Sequence, residues 1–255
     1  MIKTKLDNSI LTIHINRPKV NAINMDMIYS ISNTLDTAIE NPNIKGVILT
    51  GSPSMFSAGL DLIELSDKDK KYMIEFWNMF SNLLIKIYSF PKLIFSAISG
   101  HSPAGGTVIA IMTDYRIMSK GNYFIGLNEV AVGLTMPVGI GSVFKDILGY
   151  RTAERMTMKG ELIFPDKAKE YGLIDEIVDD KESSIIDFSI NEMNKWLKMP
   201  LDRQIESKLI MRESTLEKMK KNFIKTDCLS GKKIFTVENG YAILKMVKFA
   251  GKVIT

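Results

Sequence analysis

The stretch "SPAGGTVIAIMTDYR", residues 102–116, decides how the chain is to be read. Two adjacent glycines, Gly105 and Gly106, open a run with the composition of a buried helix. Its first full turn, Thr107-Val108-Ile109-Ala110, holds no acid, base or nucleophile. Glycine lets a backbone approach a ligand closely and adopt dihedrals that other residues avoid. A helix start also presents N–H groups with no intrahelical acceptor, at the positive end of the helix dipole. The stretch has the makings of a site built from backbone, and the side chain that does the chemistry must come from elsewhere.

A second segment has the same form. Phe56-Ser57-Ala58-Gly59-Leu60-Asp61-Leu62 also ends a strand-like run at a glycine turn. Two such turns can each aim one N–H at a single oxygen, which is the arrangement of an oxyanion hole. Glycine turns are common, so spacing alone is weak support. A third segment, "YFIGLNEVAVGL" over residues 123–134, offers the missing group, because Glu129 has apolar residues on both sides. A carboxylate held in an apolar pocket is desolvated, and its pKa rises toward neutrality. That would make it a stronger base for a carbon acid. The same residues also fit a surface glutamate or a helix-capping acid.

Two other glycine patterns lead nowhere. Gly139-Ile140-Gly141 has Phe144 where a dinucleotide fingerprint needs its third glycine, and it reads as a helix N-terminal turn. Gly100-His101-Ser102-Pro103-Ala104 misses the nucleophile-elbow pattern, and His101 is badly placed to serve the adjacent Ser102.

Around these segments the chain alternates between strand and helix. Residues 10–15 ("ILTIHI") are β-rich, with His14 in a structural position. Residues 25–39 place Ile28, Ile31, Leu35 and Ala38 at helical spacing behind Asn24 or Asp26 as a cap. Residues 46–51 and 93–98 read as buried strands, separated by a long helix over about 67–89 that ends at Pro91. Residues 114–118 and 123–126 read as two more short strands. Helices dominate from 138 onward, interrupted by a strand-like run at 173–178. This order predicts an α/β fold with a largely buried sheet. From about 183 the chain reads as a helical appendage. Its apolar positions (Ile205, Leu209, Leu216, Met219, Ile243, Met246, Val247) need something to pack against, and a second subunit is one candidate.

At 255 residues, with 45% hydrophobic and 24% charged residues, the chain is expected to be one soluble domain with an appendage. The single cysteine, Cys228, excludes an internal disulfide and a thiolate metal cluster, and two histidines are too few for most histidine-based metal sites. The charged residues 1–7 are no secretory signal, and the final Val253-Ile254-Thr255 is no peroxisomal address. No apolar run approaches the roughly 18 residues of a membrane span. The expectation is a cytoplasmic protein. The net charge of +4 is uneven: from Lys195 onward 14 Lys/Arg face 6 Asp/Glu, so that tail is +8 and the remainder −4. A solvated helical face, an anionic small ligand or nucleic acid would each fit. Nucleic acid is weaker than the anionic small ligand, for no aromatics interleave with the charge in a recognisable RNA-binding motif.

Taken together, the segments resemble the crotonase (enoyl-CoA hydratase/isomerase) superfamily over about residues 5–195. The resemblance rests on Asn16-Arg17-Pro18 with Asn21-Ala22, "GVILTG" (46–51), "FSAGLDL" (56–62), "PAGG" (103–106), "DYRIM" (114–118), "IGLNE" (125–129), and Ala168 with Gly172-Leu173-Ile174-Asp175. Within the superfamily it is most similar to the Δ3,Δ2-enoyl-CoA isomerases. This implies a crotonase-like spiral of β-β-α turns with a helical C-terminal region. Residues 1–195 would be the core carrying the active site. Residues 196–255 would serve oligomerisation and cover the site, in a homotrimer or a dimer of trimers.

The resemblance also assigns roles. The N–H groups of Leu60 and Gly105 would hold the thioester oxygen of an acyl-CoA, the substrate, with no covalently bound cofactor and no metal. Ala58, Gly59, Asp61, Leu62 and Asn128 would line the acyl-CoA. Glu129 would be the catalytic acid/base. Hydratases of the superfamily use two glutamates to handle water, and the position of the first is Val108 here. One carboxylate suffices for double-bond migration, which implies an isomerase in fatty-acid β-oxidation. Alternatives are another enolate-forming acyl-CoA conversion, weak hydratase activity, or a non-enzymatic member used in RNA binding or assembly. Acyl-chain length would depend on a wall such as the helix containing Phe76, Trp77 and Phe80.

Overall fold

The computed structural model describes residues 1–179 and 184–222. Cys228, Ile243, Met246 and Val247 lie outside them. The elements run β1 (Ile2–Asp7), β2 (Ile10–Ile15), α1 (Met25–Glu40), β3 (Gly46–Thr50), β4 (Ser54–Met55), α2 (Leu62–Ser66) and α3 (Lys70–Tyr88). They continue with β5 (Leu93–Ile98), β6 (Gly100–Pro103), α4 (Gly105–Ile111), β7 (Tyr115–Ser119) and β8 (Ile125–Gly126). A 3₁₀ turn (Val130–Val132), α5 (Val138–Leu148), α6 (Tyr150–Lys159), α7 (Pro165–Glu170), β9 (Glu176–Val178), α8 (Ile185–Trp196) and α9 (Leu201–Asn222) complete it.

Two sheets explain the order. A larger one has strand order β1-β2-β3-β5-β7-β9, parallel except for the β1–β2 hairpin, and a smaller parallel one has order β4-β6-β8. The chain leaves the larger sheet at Thr50, Ile98 and Ser119, and each time adds a short strand to the smaller sheet before a helix returns it. Each circuit is one turn of a β-β-α spiral. This is the crotonase-like architecture that the resemblance implies.

The larger sheet is apolar on both faces because both are covered. Alternate residues point to opposite sides. Val47, Leu49, Ile94 and Ile98 join the main core with α1, α3 and α4, while Ile48, Leu93, Phe95 and Ala97 face α8. Trp196 of α8 packs edge-on against Phe95 with ring centroids 5.2 Å apart. Strand β1 escaped the sequence reading. Its middle residues Lys3, Thr4, Lys5 and Leu6 are exposed, so no apolar periodicity marks it, and the backbone ladder to β2 holds it as a charged edge strand. The helix expected at 67–89 starts at Lys70, because the Asp69 side chain accepts from Tyr72 N and caps it.

Part of the basic C-terminal charge has a structural use. Helix α9 packs on α5 and α3, with Met219 fully buried in the main core and Leu216 against it. The chain's own core therefore supplies part of the packing partner expected for these positions. Lys208 Nζ of α9 donates to Asp114 Oδ2 (3.0 Å) and to Lys92 O (2.8 Å). Arg212 Nη1 lies 3.0 Å from Asp114 Oδ1 and donates to Tyr88 O (2.8 Å). Burial pushes the Lys208 ammonium pKa down, and Asp114 opposes that shift. Removing the shared carboxylate leaves two largely buried cations uncompensated. Asp114→Ala is expected to lower the unfolding free energy by about 3–5 kcal/mol in urea titrations. A loss no larger than that of an exposed control such as Asp202→Ala would show that the cluster holds nothing.

Candidate active site

The first glycine turn is held against the loop that precedes α1. Ala58 N donates to Val20 O (3.0 Å), Ser57 Oγ to Asn21 O (2.8 Å) and Gly59 N to Ser57 Oγ (3.1 Å). Asn21 reaches across from that loop, and its Nδ2 donates to Met55 O (3.0 Å) and Phe56 O (3.2 Å). Leu60 then pairs with Ile23 in a parallel bridge: Ile23 N donates to Gly59 O (2.7 Å) and Asp61 N to Ile23 O (2.9 Å). In such a bridge the neighbours of Leu60 use their groups toward Ile23, so the Leu60 N–H points the other way. Asp61 Oδ1 accepts from Glu64 N (3.0 Å) and caps α2. Ala58, Leu60, Asp61 and Leu62 are half-buried, while Gly59 is buried.

The second turn meets the first. Ala104 has φ +47°, a conformation that L residues rarely hold, and its N–H donates to Gly126 O (2.9 Å). Thr107 Oγ1 donates to Ser102 O and accepts from Gly126 N (2.8 Å), which ties α4 to β8. Gly105 is the first residue of α4, so its N–H has no intrahelical acceptor. Among the described residues neither the Leu60 nor the Gly105 N–H donates a hydrogen bond. The two amides occupy one place. A Cβ on Gly105 would lie 3.2 Å from Leu60 N, and a Cβ on Gly59 would lie 2.9 Å from Gly105 N. Gly59 also has φ +89°. Sequence reading missed Asn21 and Thr107 as the residues that hold the two turns, since their hydrogen bonds are visible only in three dimensions.

Glu129 follows β8 by three residues and starts the 3₁₀ turn, with its backbone fixed by a bond from Leu134 N to Glu129 O (2.8 Å). The turn is backed by α6, whose terminal Gly160 approaches so closely that a Cβ there would lie 2.7 Å from Ala131 Cβ. Glu129 makes no side-chain capping bond, so it is not the capping acid that the sequence also allowed. Its Oε2 is buried with no hydrogen-bond partner among the described residues. Burial pushes the carboxyl up to about 7, opposed only by its own backbone N–H. Among the described residues no charged neighbour contributes to this shift. Asn128 beside it is half-buried.

Val108 lies in the first turn of α4, buried in the same apolar cluster as Leu127, and α4 packs on β8. Phe76 stacks on Phe80 in that cluster, Trp77 meets both edge-on, and α3, which carries them, packs on α4. His101 Nδ1 accepts from Phe124 N (3.1 Å), a structural bond that leaves Ser102 without a base on that nitrogen. A cleft of about 380 Å³ elsewhere is lined by Leu93, Asp114, Trp196, Lys208 and Arg212 among others, and neither glycine turn nor Glu129 lines it.

The profile of a family described as enoyl-CoA hydratase/isomerase matches residues 5–237. Enoyl-CoA delta isomerase 1, mitochondrial, of Mus musculus is 31% identical over 221 residues, covering 86% of this chain and 76% of that one. The 2,3-dehydroadipyl-CoA hydratase of Escherichia coli (strain K12) is 28% identical over 171 residues, covering 66% and 65%. The crystal structure of human mitochondrial delta3-delta2-enoyl-CoA isomerase superposes with a TM-score of 0.93 over 98% of both chains, at 24% identity. That likeness establishes the fold. No described helix is long and apolar enough to cross a membrane.

A carboxyl that titrates near 7 when folded and in the ordinary glutamate range when unfolded destabilises the fold as pH rises. Its favourable contribution is complete below the unfolded value and is lost as pH climbs through about 7. Glu129→Gln is therefore expected to match the parent at about pH 4 and to exceed it by roughly 2–4 kcal/mol at about pH 8. Urea unfolding at both pH values checks this, and parallel pH dependence in the two proteins would contradict it.

Proposed function

The chain belongs to the enoyl-CoA hydratase/isomerase family, and from that premise we propose that it converts 3-enoyl-CoA to trans-2-enoyl-CoA. Glu129 takes a proton from C2, and the electron pair of that C–H bond delocalises into the thioester as a dienolate. The Leu60 and Gly105 N–H groups hold the resulting oxyanion. The protonated Glu129 returns the proton at C4, so the C3=C4 bond is lost and C2=C3 is formed. The segment of residues 58–62 runs along the CoA, with Asn128 beside the acyl group. Residues 196–255 assemble the chain into a trimer or a dimer of trimers and cover the site.

The observation that carries this reading is the Glu129 carboxyl, whose Oε2 is buried without a partner among the described residues and whose pKa burial raises to about 7. A base near the working pH is present as carboxylate often enough to accept a proton and holds it loosely enough to return it. Adding water across the double bond asks for a second polar group to orient the water, and the resemblance places Val108 at that position. An apolar side chain there keeps water from the dienolate. The likeness to an isomerase at 31% identity supports the same choice. The likeness to a hydratase at 28% keeps hydration as the second reading.

With 3-hexenoyl-CoA, the conjugated enoyl-thioester absorbance should grow, and Glu129→Gln should lower kcat about a hundredfold or more. A fully active Gln variant would sink the mechanism. Val108→Glu should gain hydration of crotonyl-CoA over the parent. A variant that adds water no faster than the parent would show that the missing carboxylate does not separate the two reactions.

A further inference from the structure

A network of polar side chains joins the first glycine turn and the start of α2 to the loop of residues 17–24. The guanidinium of Arg17 donates from Nη1 to Ala22 O (3.1 Å), and its Nη2 lies 2.5 Å from Asp61 Oδ2 and 3.4 Å from Glu64 Oε2. Glu64 Oε2 also accepts from Asn24 Nδ2 (2.9 Å), and Tyr72 OH donates to Glu64 Oε1 (3.2 Å). Arg17 itself is fixed from below, since its backbone N–H donates to Asn21 Oδ1 (2.9 Å). The side chains of Arg17, Asp61 and Glu64 retain 20%, 12% and 28% exposure, so water screens their interaction only in part.

The placement of these bonds matters more than their number. The Leu60 N–H is oriented by the bonds on either side of it, Ile23 N to Gly59 O and Asp61 N to Ile23 O. Arg17 grips both halves of that bridge at once, through the carbonyl of Ala22 next to Ile23 and the side chain of Asp61 next to Leu60. Asp61 and Glu64 are two carboxylates in one turn, and Arg17 is the cation between them. Without it they repel, and the start of α2 is pushed away from the loop of residues 20–23. An oxyanion donor tolerates little displacement, because the stabilisation depends on an N–H held roughly 2.7–3.1 Å from the developing charge.

We propose that Arg17 is a positioning residue that fixes the Leu60 N–H in the oxyanion site through its ion pairs with Asp61 and Glu64. This rests on the function proposed above. It also gives the Asp61 side chain a task besides the place of its segment along the CoA, since that side chain is engaged by Arg17 and by the N-terminus of α2. Arg17 is neither base nor ligand here, so its loss should weaken turnover far more than binding.

The test uses the full chain as the parent, Arg17→Met and Arg17→Lys. One readout is kcat and KM with 3-hexenoyl-CoA. The other is the absorption of bound 4-(dimethylamino)cinnamoyl-CoA, whose band moves to longer wavelength when its carbonyl oxygen accepts hydrogen bonds. In Arg17→Met, kcat should fall about tenfold with KM within about threefold, and the red shift should shrink while the probe still binds. Arg17→Lys should recover part of both, since one ammonium reaches one carboxylate but cannot fork between two. A full red shift and unchanged kcat in Arg17→Met would overturn the inference, as would a rise in KM alone. If Arg17→Met does not fold, Asp61→Asn keeps an oxygen on the Glu64 N–H while removing the paired charge, and the same two outcomes apply. A parent that binds the probe with no red shift would overturn the oxyanion reading itself, and the inference with it.

Discussion

Gly59 and Gly105 approach so closely that a Cβ on either would lie 2.9–3.0 Å from the other's backbone, and this contact joins two turns from different circuits of the spiral. Each turn is tied to its own support. The loop of residues 17–24 holds the first through Asn21, Ile23 and Arg17, and strand β8 holds the second through Gly126. Strand β8 leads within three residues to Glu129. The two unpaired N–H groups and the buried carboxyl are therefore set by one chain of hydrogen bonds, and the sheets fix its dimensions. Even the positive φ of Ala104 fits, since a strained residue persists where its neighbours over-determine it.

The fold treats its buried charges in two ways. Arg116 is nearly buried, but its Nη2 meets Asp175 Oδ2 at 3.0 Å and its Nε donates to Leu173 O at 2.9 Å. Asp114 serves Lys208, Arg212 and the Ile94 N–H together. Burying an ion without a partner is costly, so paired groups like these are the structural norm. Glu129 departs from it, because burial raises its pKa and no cation among the described residues lowers it again. An uncompensated carboxyl beside a 3₁₀ turn adds nothing to stability above neutral pH. That is the physical reason to read it as functional.

Much of this was legible in the sequence, for reasons particular to each element. Strands β3 and β5 were readable because both faces are covered and every residue is buried. Glu129 stood out among the apolar residues of its segment, but those residues fitted a surface or capping acid as well, and its catalytic role came from the resemblance. Gly139-Ile140-Gly141 was correctly a helix start rather than a nucleotide fingerprint, since α5 begins at Val138. The smaller sheet was not legible as a sheet, for β4 and β8 have two residues each and cannot show a period. Helix α2, five residues long, starts at the last residue of the glycine segment and is too short to show a period. The roles of Leu60, Gly105 and Val108 came from resemblance, because a backbone N–H leaves no mark in the residue type. Arg17 was quoted only as part of a motif, and its partners Asp61 and Glu64 become neighbours only when the first two circuits of the chain are wound.

In the proposed reaction one carboxyl, brought near neutrality by burial, moves the proton in both halves. The pH dependence of kcat/KM for 3-hexenoyl-CoA isomerisation tests it most directly, for this parameter reports ionisations of the free enzyme. A single rising limb is expected, with activity growing as Glu129 loses its proton and a midpoint at about 7. A midpoint in the ordinary glutamate range, or a profile that is flat through neutrality, would contradict it.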